Sequence, residues 1–231
     1  MATFTIEIAG CPIGISSLFD STKDYCKDYL TDRAPRYTVT VTEADLLAEQ
    51  QYLNEEADRE GLRRRAFQAP FLERNFLQRR CAELLAEEKV VLLHGSAVAL
   101  DGKGYLFTAP CGTGKSTHAR MWRETLGAVA VNDDKPFLRI TDEGVLLCGS
   151  PWCGKHGIGA NITVPLGGIC LLQRGMENTI VPLSPADALP ELLHQSDGSP
   201  LMPTVAERVP LWQLTCTPTP EAARVACAAM K

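Results

Sequence analysis

Residues 108–118 read "TAPCGTGKSTH". The string closes as a phosphate-binding loop does: the pattern G-x-x-x-x-G-K-[ST] finds Gly114, Lys115 and Ser116 at its last three places, with Ala109 where it asks for a first glycine. Such a loop needs small residues, so that the backbone turns tightly and several N–H groups converge on phosphate oxygens. Gly112 and Gly114 supply them, and a methyl group at Ala109 fits the loop's entrance. Pro110, Cys111, Thr113 and Thr117 complete the cradle. The context agrees: "GYLFTA" reads as a strand before the loop, and Ala119, Met121, Trp122 and Leu126 mark a helix that starts near Gly114 and stops at Gly127. The start of that helix turns its positive dipole end to an anion, Lys115 brings a charge for β- and γ-phosphates, and Ser116 offers a hydroxyl to Mg²⁺. The bland alternative is a glycine-rich turn with an exposed lysine.

Downstream, "AVAVNDD" reads as a buried strand that ends in Asp133 and Asp134, the place where a carboxylate can face a metal held opposite the loop's hydroxyl. Adjacent residues on a strand point to opposite sides, so both acids face one site only if the chain turns at Lys135-Pro136. His94 closes "VVLLHG"; taken alone it reads as a hydrogen-bonded structural histidine. "GSPWCGKHGIGANITVP" sets Lys155 and His156 among Gly154, Gly157 and Gly159, a cationic glycine-rich segment suited to a lid over the γ-phosphate or to a surface turn. Trp122 and Trp152 read as core aromatics rather than adenine platforms, and Cys111 as a passive small residue.

The rest of the chain sets bounds. Its 231 residues suffice for a self-standing core, and a net charge of -5 with pI near 5.4 gives no broad footprint for nucleic acid. Nine cysteines, an odd number with no C-x-x-C pair, read as reduced thiols rather than a disulfide or zinc framework. No run approaches the ~20 apolar residues of a membrane span and the start has no leader pattern, so a cytoplasmic protein without membrane partners is expected. "TFTIEI" (3–8), "CPIGISS" and "RYTVTVT" (36–42) read as strands, and 43–88 as a helical connector. The basic stretch "REGLRRR" (59–65) within it reads as a solvated helix-loop face. From residue 89 strands and turns dominate, with a hairpin at Asp101-Gly102, strands in "PFLRI", "GVLLCG" and "GGICLLQRG", and a serine-capped helix over 184–195 despite Pro190.

"LLHG", "APCGTGKS" and "VNDD", in this order and at these spacings, resemble the catalytic domain of HPr kinase/phosphorylase, a relative of the nucleotide-binding half of phosphoenolpyruvate carboxykinase. The resemblance covers residues 89 to about 175. It implies that Lys115 and Ser116 bind phosphates and Mg²⁺, that Asp133 acts as base toward an accepting serine hydroxyl, that Asp134 lies near the metal, and that His94 belongs to the site. It departs from that pattern at Ala109 and Asn132, and no HPr-docking signature is present. The expectation is therefore an α/β fold, a mixed sheet with a phosphate loop and an HPr kinase/phosphoenolpyruvate carboxykinase-like core at 89–231, with a smaller N-terminal α+β portion at 1–88. The function expected is an ATP- and Mg²⁺-dependent kinase acting on a hydroxyl of a small protein, peptide or metabolite. The alternative is a nucleotide-dependent binding or regulatory module. Related kinases assemble, which puts a homo-oligomer among the expected states.

Overall fold

The structure is a computed structural model that describes residues 1–59 and 61–231. The chain divides into two compact units, Met1–Glu87 and Glu88–Lys231.

In the first unit, β1 (Ala2–Ile8) and β2 (Cys11–Ser17) form an antiparallel hairpin whose two turn residues, Ala9 and Gly10, both have positive φ, at 51° and 78°. That turn type matches the twist of the strands it joins. Phe4, Ile6 and Ile8 alternate inward along β1. The helix α1 (Asp20–Tyr25) follows, then β3 (Tyr37–Thr40), parallel to β2, and the helices α2 (Glu43–Arg59) and α3 (Ala69–Ala86). Buried Glu73 of α3 holds the start of α1, accepting hydrogen bonds from the Leu18 and Phe19 N–H groups and the Thr22 hydroxyl. In the basic stretch between α2 and α3, Arg64 pairs with Asp58, and Gln50 fixes the following turn through Arg65 O and Phe67 N–H. Glu60 of that stretch lies outside the described residues.

The second unit begins with β4 (Val90–Leu92), β5 (Ser96–Leu100) and β6 (Lys103–Thr108). Asp101 and Gly102 close the β5–β6 hairpin with φ of 50° and 78°, as their sequence implies. After the loop come α4 (Lys115–Leu126), β7 (Val129–Asn132), β8 (Phe137–Ile140), β9 (Val145–Cys148) and the long β10 (Thr163–Arg174). The remaining elements are β11 (Thr179–Pro182), α5 (Pro185–His194), α6 (Met202–Arg208), β12 (Leu211–Cys216) and α7 (Pro220–Met230). The Ser184 hydroxyl caps α5 by accepting from Asp187 N–H. The strands form one mixed sheet in the order β4-β8-β9-β10-β6-β5-β7, with β12 beside β10 and β11 beside β12. The fold is α/β.

Alternation along the central strand sorts the core into two layers. Tyr105 and Phe107 point to a layer with Trp122 of α4 and Ala222, Ala223 and Ala226 of α7. Leu106 points to the opposite layer, with Leu192 of α5 and Met202 and Val205 of α6. Around β6 the sheet is thus covered on both faces. Trp122 and Trp152 are both buried, as core aromatics. Strand β7 departs from its expected full burial: Val129 is 55% exposed because β7 is the last strand of the sheet path.

Candidate active site

Strands β10 and β12 run parallel to β6 and to each other. Strand β7 regains the same direction through two reversals, being antiparallel to β5, which is antiparallel to β6. The C-terminal ends of β6, β7, β10 and β12 therefore lie at one edge of the sheet, where ligands of open α/β sheets bind.

The loop leaves β6 there. Gly112 and Gly114 have φ of 77° and 124°, and an added Cβ would meet nothing within 4 Å at either. Their requirement for glycine is one of backbone conformation and not of space. Ala109 has no such requirement, since it is outside the positive-φ region and its methyl is buried among Phe107, Ala119 and Trp122. The first position of the pattern is occupied here by a core residue. We expect Ala109→Gly to leave nucleotide affinity within about twofold of wild type while costing about 1–2 kcal/mol of stability, from a lost buried methyl and a freer backbone; calorimetric titration and a thermal melt measure the two separately.

Beyond Gly114, α4 starts without a side-chain cap, so its first N–H groups are open to an anion. Lys115 is buried and its Nζ donates to Ala109 O at 2.7 Å, folding the ammonium against the loop's mouth. Burial pulls its pKa down, with Cys111 and Asp134 opposing. Arg174, at the end of β10, clamps the tip of the loop, donating to Gly112 O and, at 3.3 Å, to Thr113 O. Pro110 and Cys111 are exposed at that tip.

The turn after β7 is built by Asn132, which is fully buried. Its Oδ1 accepts from the N–H groups of Asp134 (2.8 Å) and Lys135 (2.6 Å), and its Nδ2 donates to Ser150 O (3.0 Å) and Ser150 Oγ (3.1 Å). Beyond this side-chain turn the two carboxylates take different partners. Asp133 Oδ1 accepts from Gly154 N–H at 2.6 Å, and burial pushes its pKa up against the pull of the Gly154 and Ile158 N–H groups. Asp134 Oδ1 lies 3.2 Å from His94 Nε2; burial would raise its pKa, but the His94 hydrogen bond and the charges of Lys135, His94 and Lys115 carry it below the ordinary carboxylate value. His94 lies two residues beyond the end of β4, held by its N–H to Gln195 O (2.8 Å) and its carbonyl to the Thr108 hydroxyl (2.8 Å). Ser96 joins the groups: its hydroxyl donates to Asp133 O at 2.9 Å and lies 3.4 Å from Ser116 Oγ. His94, the loop, Ser116 and both aspartates are thus brought to one place, and Asn132, Ser96, Ser150 and Arg174 are the supports that motif reading passed over.

The segment bearing Lys155 and His156 is fastened on the Asp133 carboxylate and by Ala160 N–H to Val131 O at 3.1 Å. Of the two readings, lid or surface turn, the geometry is that of a short turn pinned at both ends, with exposed Lys155 and His156 at its crest.

Two cavities flank the junction of loop and helix. One, of about 420 Å³, is lined by Gly112, Thr117, His118, Met121, Arg174 and Thr217. His118 accepts from Trp122 Nε1 at 3.0 Å, and burial lowers its pKa to about 4, so it presents a neutral ring. The other, of about 310 Å³, is lined by Ser116, Thr117, Arg120, Arg123, Asp133 and His156. Thr117 borders both.

No family model matches the chain, and no curated protein sequence does. Among solved structures the chain is similar to the Hpr(Ser) kinase/phosphatase from Coxiella burnetii, at 13% sequence identity and a TM-score of 0.37, over 60% of this chain and 97% of that one.

Proposed function

We propose that residues 89–231 form the catalytic domain of an ATP- and Mg²⁺-dependent kinase that transfers the γ-phosphate to a hydroxyl of a small protein, peptide or metabolite. The observation that carries this reading is the pair of cavities meeting at Thr117, with a half-buried carboxylate, Asp133, bordering only one of them. A simple nucleotide-binding module has need of one.

The residues fit the groups assigned to them. Among the described residues no cluster of three or more His, Cys, Asp or Glu side chains could hold a metal. Mg²⁺ is held by few protein oxygens and completes its shell with water and substrate phosphates. Ser116 and Asp134 are the assigned protein ligands, and when bound the ion would neutralise charge on the migrating phosphoryl group. Gly112, Thr113, Gly114, Lys115, Ser116 and Thr117 would cradle the phosphates, the cavity beside His118 and Met121 would take the base, and Lys155 would approach the γ-phosphate from the pinned turn. In the transfer an acceptor oxygen forms its bond to the γ-phosphorus as the bond to the bridging β–γ oxygen breaks. Asp133 receives the hydroxyl proton, and ADP leaves. His94 holds Asp134 in place.

The reading is tested by ADP release from Mg²⁺·ATP by the purified chain, first with water and then with hydroxyl compounds as acceptors. Mg²⁺-dependent turnover is expected. Tight ATP binding with no turnover in any condition would replace the kinase by a nucleotide-dependent binding module.

A further inference from the structure

Two arginines of one helix line the cavity that Asp133 borders. Ser116, Ala119, Arg120 and Arg123 stand at i, i+3, i+4 and i+7 of α4, so they form one stripe facing that cavity, with the phosphate-loop hydroxyl at one end and two guanidinium groups along it. His156 adds a ring nitrogen donor or acceptor from the pinned turn, while Ala97, Val98 and Ile158 supply an apolar wall. Among the described residues Arg120 pairs with exposed Glu124 at 3.9 Å and Arg123 makes no salt bridge.

We infer that this cavity is the acceptor site and that it selects a small hydroxy compound bearing an anionic group, a carboxylate or a phosphate, which Arg120 and Arg123 bind while its hydroxyl faces Asp133. The inference rests on the kinase reading and narrows its substrate class. Size argues for a small molecule, since about 310 Å³ is at the lower end of ligand-binding cavities. Helix geometry sets the spacing: Arg120 lies about 6 Å and Arg123 about 10 Å along the axis from Ser116, and their side chains lean back toward the helix N-terminus. The hydroxyl and the anion of the acceptor therefore lie within roughly 8 Å of each other. Planar guanidinium groups pair with both carboxylate and phosphate oxygens, which is why the two anions share the assignment.

The test is ADP release by the full chain with Mg²⁺·ATP and matched acceptor pairs: glycerate against glyceramide, and sn-glycerol 3-phosphate against glycerol. The anionic member of at least one pair is expected to raise turnover above the water rate while its neutral partner does not, and the pair that responds tells carboxylate from phosphate. In Arg120→Gln/Arg123→Gln the KM for the active anion should rise about 10- to 100-fold, the usual worth of charge-assisted hydrogen bonds. Arg123→Lys, with Arg120 retained, should recover part of the loss, which a general effect on folding would not produce. If neutral and anionic partners stimulate equally, or the double variant keeps its KM, the anion assignment is overturned and the kinase reading stands. A seryl peptide amidated at its C-terminus that outperforms every small anion also overturns it, in favour of a polypeptide acceptor. Failure of the wild type to bind ATP in calorimetry overturns both together.

Discussion

Asp133→Asn is expected to lower phosphoryl transfer by roughly 10²- to 10⁴-fold, the usual contribution of a positioned general base, while ATP affinity changes little. The amide is isosteric with the carboxylate and its oxygen can still accept from Gly154 N–H, so the pinned turn keeps its anchor. What is lost is a proton acceptor. Burial raises the pKa of Asp133, which brings the carboxyl closer to neutral working pH than an exposed one. The acid limb of the wild-type kcat profile should therefore lie above the ordinary carboxylate range, with the rate rising as the proton leaves, and it should vanish in the variant. The same shift has a stability consequence of opposite sense. A carboxyl whose folded pKa exceeds its unfolded value favours the fold below the unfolded pKa and loses that contribution as pH rises through the folded one. Asp133→Asn should accordingly melt no lower than wild type near neutral pH, with any gain disappearing in acid. A variant that retains full transfer rate to a confirmed acceptor would remove Asp133 from the role of base.

Lys115→Met should weaken ATP binding about 100-fold, because the ammonium is the one charged donor set inside the loop, and a hydrogen bond to a charged group contributes roughly 1.5–3 kcal/mol. The fold should not suffer, since the variant removes a buried cation and keeps the volume of the chain that carries it. Calorimetric titration with Mg²⁺·ATP and a melt on the same sample separate the two effects. Equal affinity in variant and wild type would show that the loop is only a turn between strand and helix.

How much of this site the chain announces depends on how local its parts are. The loop, the helix behind it and the acidic pair are contiguous stretches whose chemistry and spacing are visible in one dimension, and α4 ends at Gly127, which takes the left-handed conformation expected of it. The supports were hidden because they are distant in sequence. Ser96 reaches Asp133 and Ser116 from a different strand, and Ser150 meets Asn132 across 18 residues; no motif links them. Asn132 stood out only as a departure from a family pattern, whereas the oxygen of its buried amide shapes the turn and the nitrogen ties that turn to Ser150. The two aspartates could not be assigned directions from strand alternation, since β7 ends at Asn132 and the turn decides. Helices α1 and α6 are six and seven residues long, too short for a periodic pattern to declare itself, and the pairing of β12 with β10 joins segments about forty residues apart.

Strand β10 has one more consequence, for cooperativity. Its first residues, Thr163–Pro165, pair with β9, and from Leu166 onward it pairs with β6 and then β12, so a single strand belongs to the antiparallel half of the sheet and to the parallel half that carries the loop. The ladders of the two halves meet on one continuous strand at Pro165–Leu166, which couples their opening. In native-state hydrogen exchange the amides of β8 and β9 should therefore share the slowest, denaturant-sensitive isotherm with those of β6, one foldon rather than two, and a lesion such as Leu147→Ala far from the nucleotide should lower protection at the loop strand by the same free energy as in its own neighbourhood.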